Sequence, residues 1–211
     1  MKIYLTEAIG TFFLVLTIGL CVNQGIEMAP IAIGSALMVM VYAGGPISGA
    51  HYNPSVSLAA WIRGALPAKQ LVPYWISQFV GAVLAAFLIY KFTGPALHVA
   101  PGPNVSALKA LSAEIVFSFA LSYVVLHVAM TKSAAGNSYY GLAIGFTVAA
   151  GAFAVGAISG GAFNPAVGLG PAIVEAALGK SVTSMVWIYA VGPLVGAAAA
   201  GYTYKFQRPG E

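Results

Sequence analysis

Apolar residues run along this chain in six long blocks, at 3–22, 28–43, 72–92, 108–130, 140–155 and 182–204. A helix needs about 20 such residues to cross the hydrocarbon core of a bilayer. The blocks therefore predict six spanning helices, three in each half of the chain. The connections 23–27, 63–70, 93–106, 131–139 and 178–181 hold much of the polar and turn-forming sequence, and the Pro- and Gly-rich stretch 94–103 joins the halves. Two further segments, 54–63 and 165–178, are too short to cross. Each opens on Asn-Pro. Asn caps a helix well, and Pro suits the first helical position because its missing N–H would be unpaired there. Each segment reads as a half-helix that starts inside the membrane. Irregular backbone at that depth is tolerable only where it is buried in protein or lines a wet cavity.

The two halves are copies. Ile47-Ser48-Gly49-Ala50-His51-Tyr52-Asn53-Pro54-Ser55-Val56 matches Ile158-Ser159-Gly160-Gly161-Ala162-Phe163-Asn164-Pro165-Ala166-Val167, with the two Asn 111 residues apart. The same offset aligns Ala32-Ile33-Gly34 with Ala143-Ile144-Gly145. The third helix of each half repeats more weakly, from Tyr74 to Gly81 against Tyr189 to Gly196, at an offset of 115. In the first helices, Glu7 and Thr11 stand against Glu114 and Ser118. An odd number of helices per half makes the copies run in opposite directions, so the repeat is inverted.

Composition narrows the class. The chain is 60% hydrophobic and 7% charged, with a mean hydropathy of +0.89. A water-soluble domain could not keep such a composition off its surface. The first block reads as a retained helix and not a cleaved leader, since it carries Glu7 and is long enough to span. The net charge is +4, but the nine basic residues are scattered and form no nucleic-acid face. Their placement reads as topology. With both termini cytoplasmic, Lys2, Arg63, Lys69, Lys132, Lys205 and Arg208 lie inside, and Lys91, Lys109 and Lys180 lie outside. One cysteine, Cys21, excludes an internal disulfide and a cysteine zinc cluster. The chain has no Asp and five dispersed Glu, so no paired carboxylates and no nucleophile–base arrangement point to an enzyme. No metal or other cofactor is expected.

The chemistry gathers where the half-helices start. Inversion brings them in from opposite faces, so their N-termini can meet near the midplane. Each carries unpaired N–H groups and roughly half a positive charge. Asn53 and Asn164 can cap with the side-chain oxygen and still offer NH₂ donors to a lumen. The stretches leading in, Gly49, Ala50, His51 and Tyr52, then Gly160, Gly161 and Ala162, can present a row of carbonyl acceptors. Donors at the centre and acceptors along a wall suit a file of neutral hydrogen-bonding molecules and oppose a cation or hydrated proton.

These residues resemble the aquaporins, the major intrinsic protein family, over nearly the whole chain. Residues 48–55 and 159–166 look like the two signature loops of that family, with Asn53, Pro54, Ser55 and Asn164, Pro165, Ala166 as its paired tripeptides. Glu7 and Glu114 look like its buried loop-anchoring glutamates, and Tyr74-Trp75-Ile76-Ser77-Gln78 like its third-helix motif. The resemblance implies an all-α membrane protein: an aquaporin-like bundle of six transmembrane helices plus two half-helices. It implies one channel domain over 1–211 with repeat halves of about 1–93 and 107–206, a homotetramer in a lipid bilayer, and a bacterial inner membrane as the location. Water and small neutral solutes are the implied partners.

Departures from the family pattern bear on selectivity. Ser55 replaces the usual Ala. Position 167, usually Arg, is Val167. Counting from the motifs, the other positions of the outer filter fall on Ile33, Ala152 and Gly161, so that no aromatic, His or Arg remains there. Gly168 stands where glycerol-conducting members carry Asp. A small apolar filter favours ammonia, hydrogen peroxide, urea or short polyols beside water. Two rivals stay open: a secondary transporter, which also uses inverted repeats and broken helices, and a sealed structural tetramer. His51 reads as a packed loop residue, and His98 and His127 as interfacial or structural ones.

Overall fold

The computed structural model describes residues 1–211 and contains only helices and connections. In order these are α1 Lys2–Asn23, α2 Ala29–Ser48, α3 Pro54–Arg63, α4 Ala68–Thr93, α5 Ala107–Ala129, α6 Tyr140–Ser159, α7 Pro165–Ala177 and α8 Ile188–Gln207, with a short 3₁₀ turn at Lys132–Ala134. Five of them, α1, α2, α4, α5 and α6, are long and apolar enough to cross a membrane. The sixth expected span, α8, has 20 residues. It is less apolar because its last turns carry Tyr202, Thr203, Tyr204, Lys205 and Gln207.

Helix boundaries moved where local chemistry outweighed hydropathy. The block at 182–204 becomes a helix only from Ile188, because Thr183 turns the chain: its carbonyl accepts from Val186 N–H and its hydroxyl from Met185 N–H. Helices α2 and α6 run past their expected ends, through Gly44-Gly45-Pro46 and Gly156, to Ser48 and Ser159. Both stop at a left-handed glycine, Gly49 at φ 83° and Gly160 at φ 91°. That conformation carries a steric penalty for any residue with a Cβ.

The inverted repeat is visible in the packing. Gly81 of α4 lies against the carbonyl of Ala8, and Gly196 of α8 against that of Ile115, at equivalent places in the two halves. Helices α2 and α6 meet at Gly34 and Gly145. A Cβ on either glycine would strike the other's carbonyl oxygen. These two are repeat equivalents of each other, so the pseudo-twofold axis passes between them.

Burial is inverted relative to a soluble protein. Ile76, Leu84, Phe87, Phe92 and Leu108 are exposed on the outside, while Glu7 and Glu114 are fully buried at 0% exposure. Lipid is the solvent that satisfies the first set, and only internal hydrogen bonds can satisfy the second. Helix α4 ends and the linker 94–106 begins on one face of the bundle, the linker face; the chain begins and ends on the other.

Candidate functional site

The half-helices α3 and α7 start at Asn53 and Asn164, both in extended backbone at φ −158°. Each Asn caps its own helix: Oδ1 accepts from Ser55 N–H at 2.9 Å and from Ala166 N–H at 2.9 Å. Each then reaches into the other half. Asn53 Nδ2 donates to the Phe163 carbonyl at 2.8 Å, and Asn164 Nδ2 to the Tyr52 carbonyl at 2.9 Å. An amide NH₂ has two donors, so one N–H of each Asn is left for the lumen.

The loops before each Asn are strained to make this possible. Tyr52 and Phe163 sit at φ 50° and 47°, in the left-handed region that side chains avoid. Glu7 holds the first: Oε1 accepts from Ser48 Oγ at 2.6 Å and His51 N–H at 3.0 Å, and Oε2 from Tyr52 N–H at 2.7 Å and Gln78 Nε2 at 2.8 Å. Glu114 holds the second: Oε1 accepts from Ser159 Oγ at 2.7 Å and Ala162 N–H at 3.0 Å, and Oε2 from Phe163 N–H at 2.7 Å. Tyr74 and Tyr189 add a second anchor, donating to the carbonyls of Ser48 and Ser159. The copies differ in their polar surroundings. Gln78 and Ser57 support Glu7 and His51 in the first half, where Ser57 Oγ lies 3.0 Å from both Gln78 Nε2 and His51 Nδ1. Their counterparts are Pro193 and Gly168, and a Cβ at Gly168 would run into Tyr189.

A cavity of about 400 Å³ runs past these residues. Asn53 and Asn164 line it, while Pro54, Ser55, Pro165 and Ala166 are buried behind it. The four residues expected at the outer filter, Ile33, Ala152, Gly161 and Val167, all line it. They come from α2, α6, the second loop and the first turn of α7. Ala50, His51, Tyr52, Gly160, Gly161 and Ala162 line it as well. Gly49 instead lines a separate hollow of about 280 Å³, where it sits as the cap of α2. Glu7 and Glu114 lie outside the lining, in the packed layer behind the loops.

No Asp, Glu, Lys or Arg side chain faces the cavity; its polar side chains are His51, Tyr52, Asn53, His98 and Asn164. Of these, Tyr52 turns its hydroxyl to the Met40 carbonyl at 3.0 Å. Beside helix positions such as Leu37 and Leu121, the lining residues missed in the sequence include Leu97, His98, Val99 and Ala100, which come from the linker. The only hint was an apolar run between the linker prolines. Of the other histidines, His127 packs on Tyr123 and Tyr204 and plays no part in the lumen.

A lumen lined without fixed charge and centred on two capped half-helices defines a membrane channel. The chain belongs to the major intrinsic protein family, whose sequence model it matches over residues 1–204. It is 39% identical over 214 residues to "Aquaporin NIP1-1" of Zea mays, covering 97% of this chain and 74% of that one. It is 35% identical over 182 residues to "Probable aquaporin AqpM" of Archaeoglobus fulgidus, covering 83% of this chain and 74% of the relative. In fold it is similar to the aquaglyceroporin of Plasmodium falciparum, with a TM-score of 0.86 at 21% identity, covering 96% and 94% of the two chains. The protein is thus an integral membrane channel and not an enzyme.

Proposed function

We propose that this channel passes water and small neutral solutes down their gradients while excluding protons. The observation that carries the reading is the reciprocal exchange between Asn53 and Asn164 in an otherwise apolar lumen. It joins the N-termini of two helices of 10 and 13 residues at one point. Their dipoles make that point electropositive, and the free amide donors orient a permeant's oxygen there. A molecule so held accepts on both sides and cannot easily pass a proton along.

Ile33, Ala152, Gly161 and Val167 are proposed as the narrow point on the linker face, with backbone carbonyls of Gly160, Gly161 and Ala162 as the acceptors beside it. Without a cationic donor the filter rewards water less and admits ammonia, hydrogen peroxide, urea or short polyols. The transporter reading is disfavoured because coupling needs an ion site, and both membrane carboxylates are occupied by loop donors behind the cavity. We propose one pore per subunit of a homotetramer, over a single channel domain of residues 1–211. The charge bias supports cytoplasmic termini; a bacterial inner membrane remains the proposed location.

Stopped-flow light scattering on proteoliposomes tests the reading, with water followed by urea and glycerol. Water and urea flux above empty vesicles, linear in the gradient, is the expected result. Saturable flux that requires an ion gradient would replace the channel with a transporter.

A further inference from the structure

The linker between the halves is tied down at several points. Asn23 at the end of α1 donates to Thr93 Oγ1 at 2.9 Å and to the Pro95 carbonyl at 3.0 Å. Gly102 N–H donates to the Ile158 carbonyl at 3.0 Å, next to the second pore loop. Between these ties the chain dips inward. Leu97 is 1% exposed, and Leu97 through Ala100 line the cavity. One side-chain bond holds the middle of this dip. His98 Nδ1 lies 2.8 Å from Glu175 Oε1 in the last turns of α7, with side chains 50% and 8% exposed. Glu175 does not line the cavity, whereas His98 does. The pair therefore joins the linker to the half-helix that carries Val167. No third His, Cys, Asp or Glu gathers there, so the pair is not a metal site.

We infer that the linker forms a fifth wall of the channel mouth, and that His98 and Glu175 are positioning residues that hold this wall in place and so help to set the largest solute admitted. The inference rests on the channel reading above. An arginine at position 167 would fill the mouth from the α7 side; Val167 leaves that space, and Leu97 lines the same cavity from the linker. Releasing the clamp lets the wall move outward, and larger solutes gain more than water does.

Urea and water permeability measured in the same proteoliposomes test this. His98→Ala should raise the urea-to-water ratio about threefold, on the scale of one lost side-chain hydrogen bond. Glu175→Ala should do the same, and the double variant should add nothing further. His98→Gln keeps a donor for the carboxylate and should restore the wild-type ratio, which a purely steric effect of the ring would not do. An unchanged or lower ratio in His98→Ala, or additive effects in the double variant, overturns the inference. Wild-type vesicles that pass water but no urea would sink the wide filter alone; the clamp then stands if His98→Ala admits urea and falls if it does not. If nothing permeates, deuterium exchange at the Gly102 amide decides: faster exchange in His98→Ala supports the clamp, and an unchanged rate overturns it.

Discussion

Ser55 donates twice to one oxygen of Asn53: its N–H at 2.9 Å and its hydroxyl at 2.7 Å both reach Oδ1. The equivalent residue in the other half, Ala166, makes only the first of these bonds. The hydroxyl is thus an addition to a cap that already works. Ser55→Ala should lower stability by about 0.5–1.5 kcal/mol and leave water permeability within experimental error. Thermal unfolding in detergent, beside stopped-flow on the same preparation, measures both. A collapse of water flux would mean that the hydroxyl orients Asn53 toward the lumen.

Both oxygens of Glu7 and both of Glu114 accept from backbone N–H groups. A glutamine can satisfy only one of each pair, because its NH₂ would face the other donor. Glu114→Gln should therefore be destabilised by about 1–3 kcal/mol, and Glu114→Ala, which abandons two backbone donors and the Ser159 hydroxyl, by more. Flux per folded channel should follow the same order. Equal transport loss in both variants, with equal folding, would instead assign the carboxyl a proton-carrying role.

Proton exclusion should not need an arginine. The joined half-helices and the Asn pair remain when position 167 is Val, so a pH-sensitive dye in vesicles under a pH gradient and potassium clamp should report no acidification beyond empty vesicles. Acidification in proportion to channel content would refute this placement of the barrier.

Val167→Arg tests the filter directly. Val167 is buried and lines the cavity, so the longer side chain enters the mouth and should reduce urea and glycerol flux more than water flux. An unpaired charge in the membrane costs about 2.5–3.5 kcal/mol on insertion scales, so monodisperse elution in detergent comes first. A well-folded variant with unchanged urea flux would move the constriction elsewhere.

Gly34→Ala should destabilise the protein by about 1–3 kcal/mol through overpacking, since the new methyl group meets the Gly145 carbonyl. Gly145→Ala should behave alike, because the two positions are repeat equivalents. Differential unfolding of the pair by more than about 1 kcal/mol would show that the axis is not respected energetically.

The architecture was legible because it is written twice. The repeated loop, the Asn-Pro starts and the matched glutamates place both half-helices, since each rests on chemistry within a few residues; the four positions that the family resemblance assigned to a filter all line the cavity. The cross-exchange of Asn53 and Asn164 was not legible. It depends on carbonyls supplied from 110 and 112 residues away, by backbone bent into the left-handed region. The linker's entry into the mouth escaped for a related reason. Hydropathy cannot tell an apolar connection over lipid from one folded into a lumen. The start of α8 was misplaced because apolar Val182, Met185, Val186 and Trp187 continue the block, while the turn at Thr183 is a matter of hydrogen bonds.

Each Asn spends one donor on the half to which it does not belong, and Gly34 and Gly145 face each other across the axis. Neither half can satisfy its own Asn alone, so the pore centre forms only after the last third of the chain has arrived. Until then Asn53 waits for a carbonyl, and the first loop lacks its lock. A half-length chain could meet the same demand only by finding a second copy of itself and repeating the exchange across the axis.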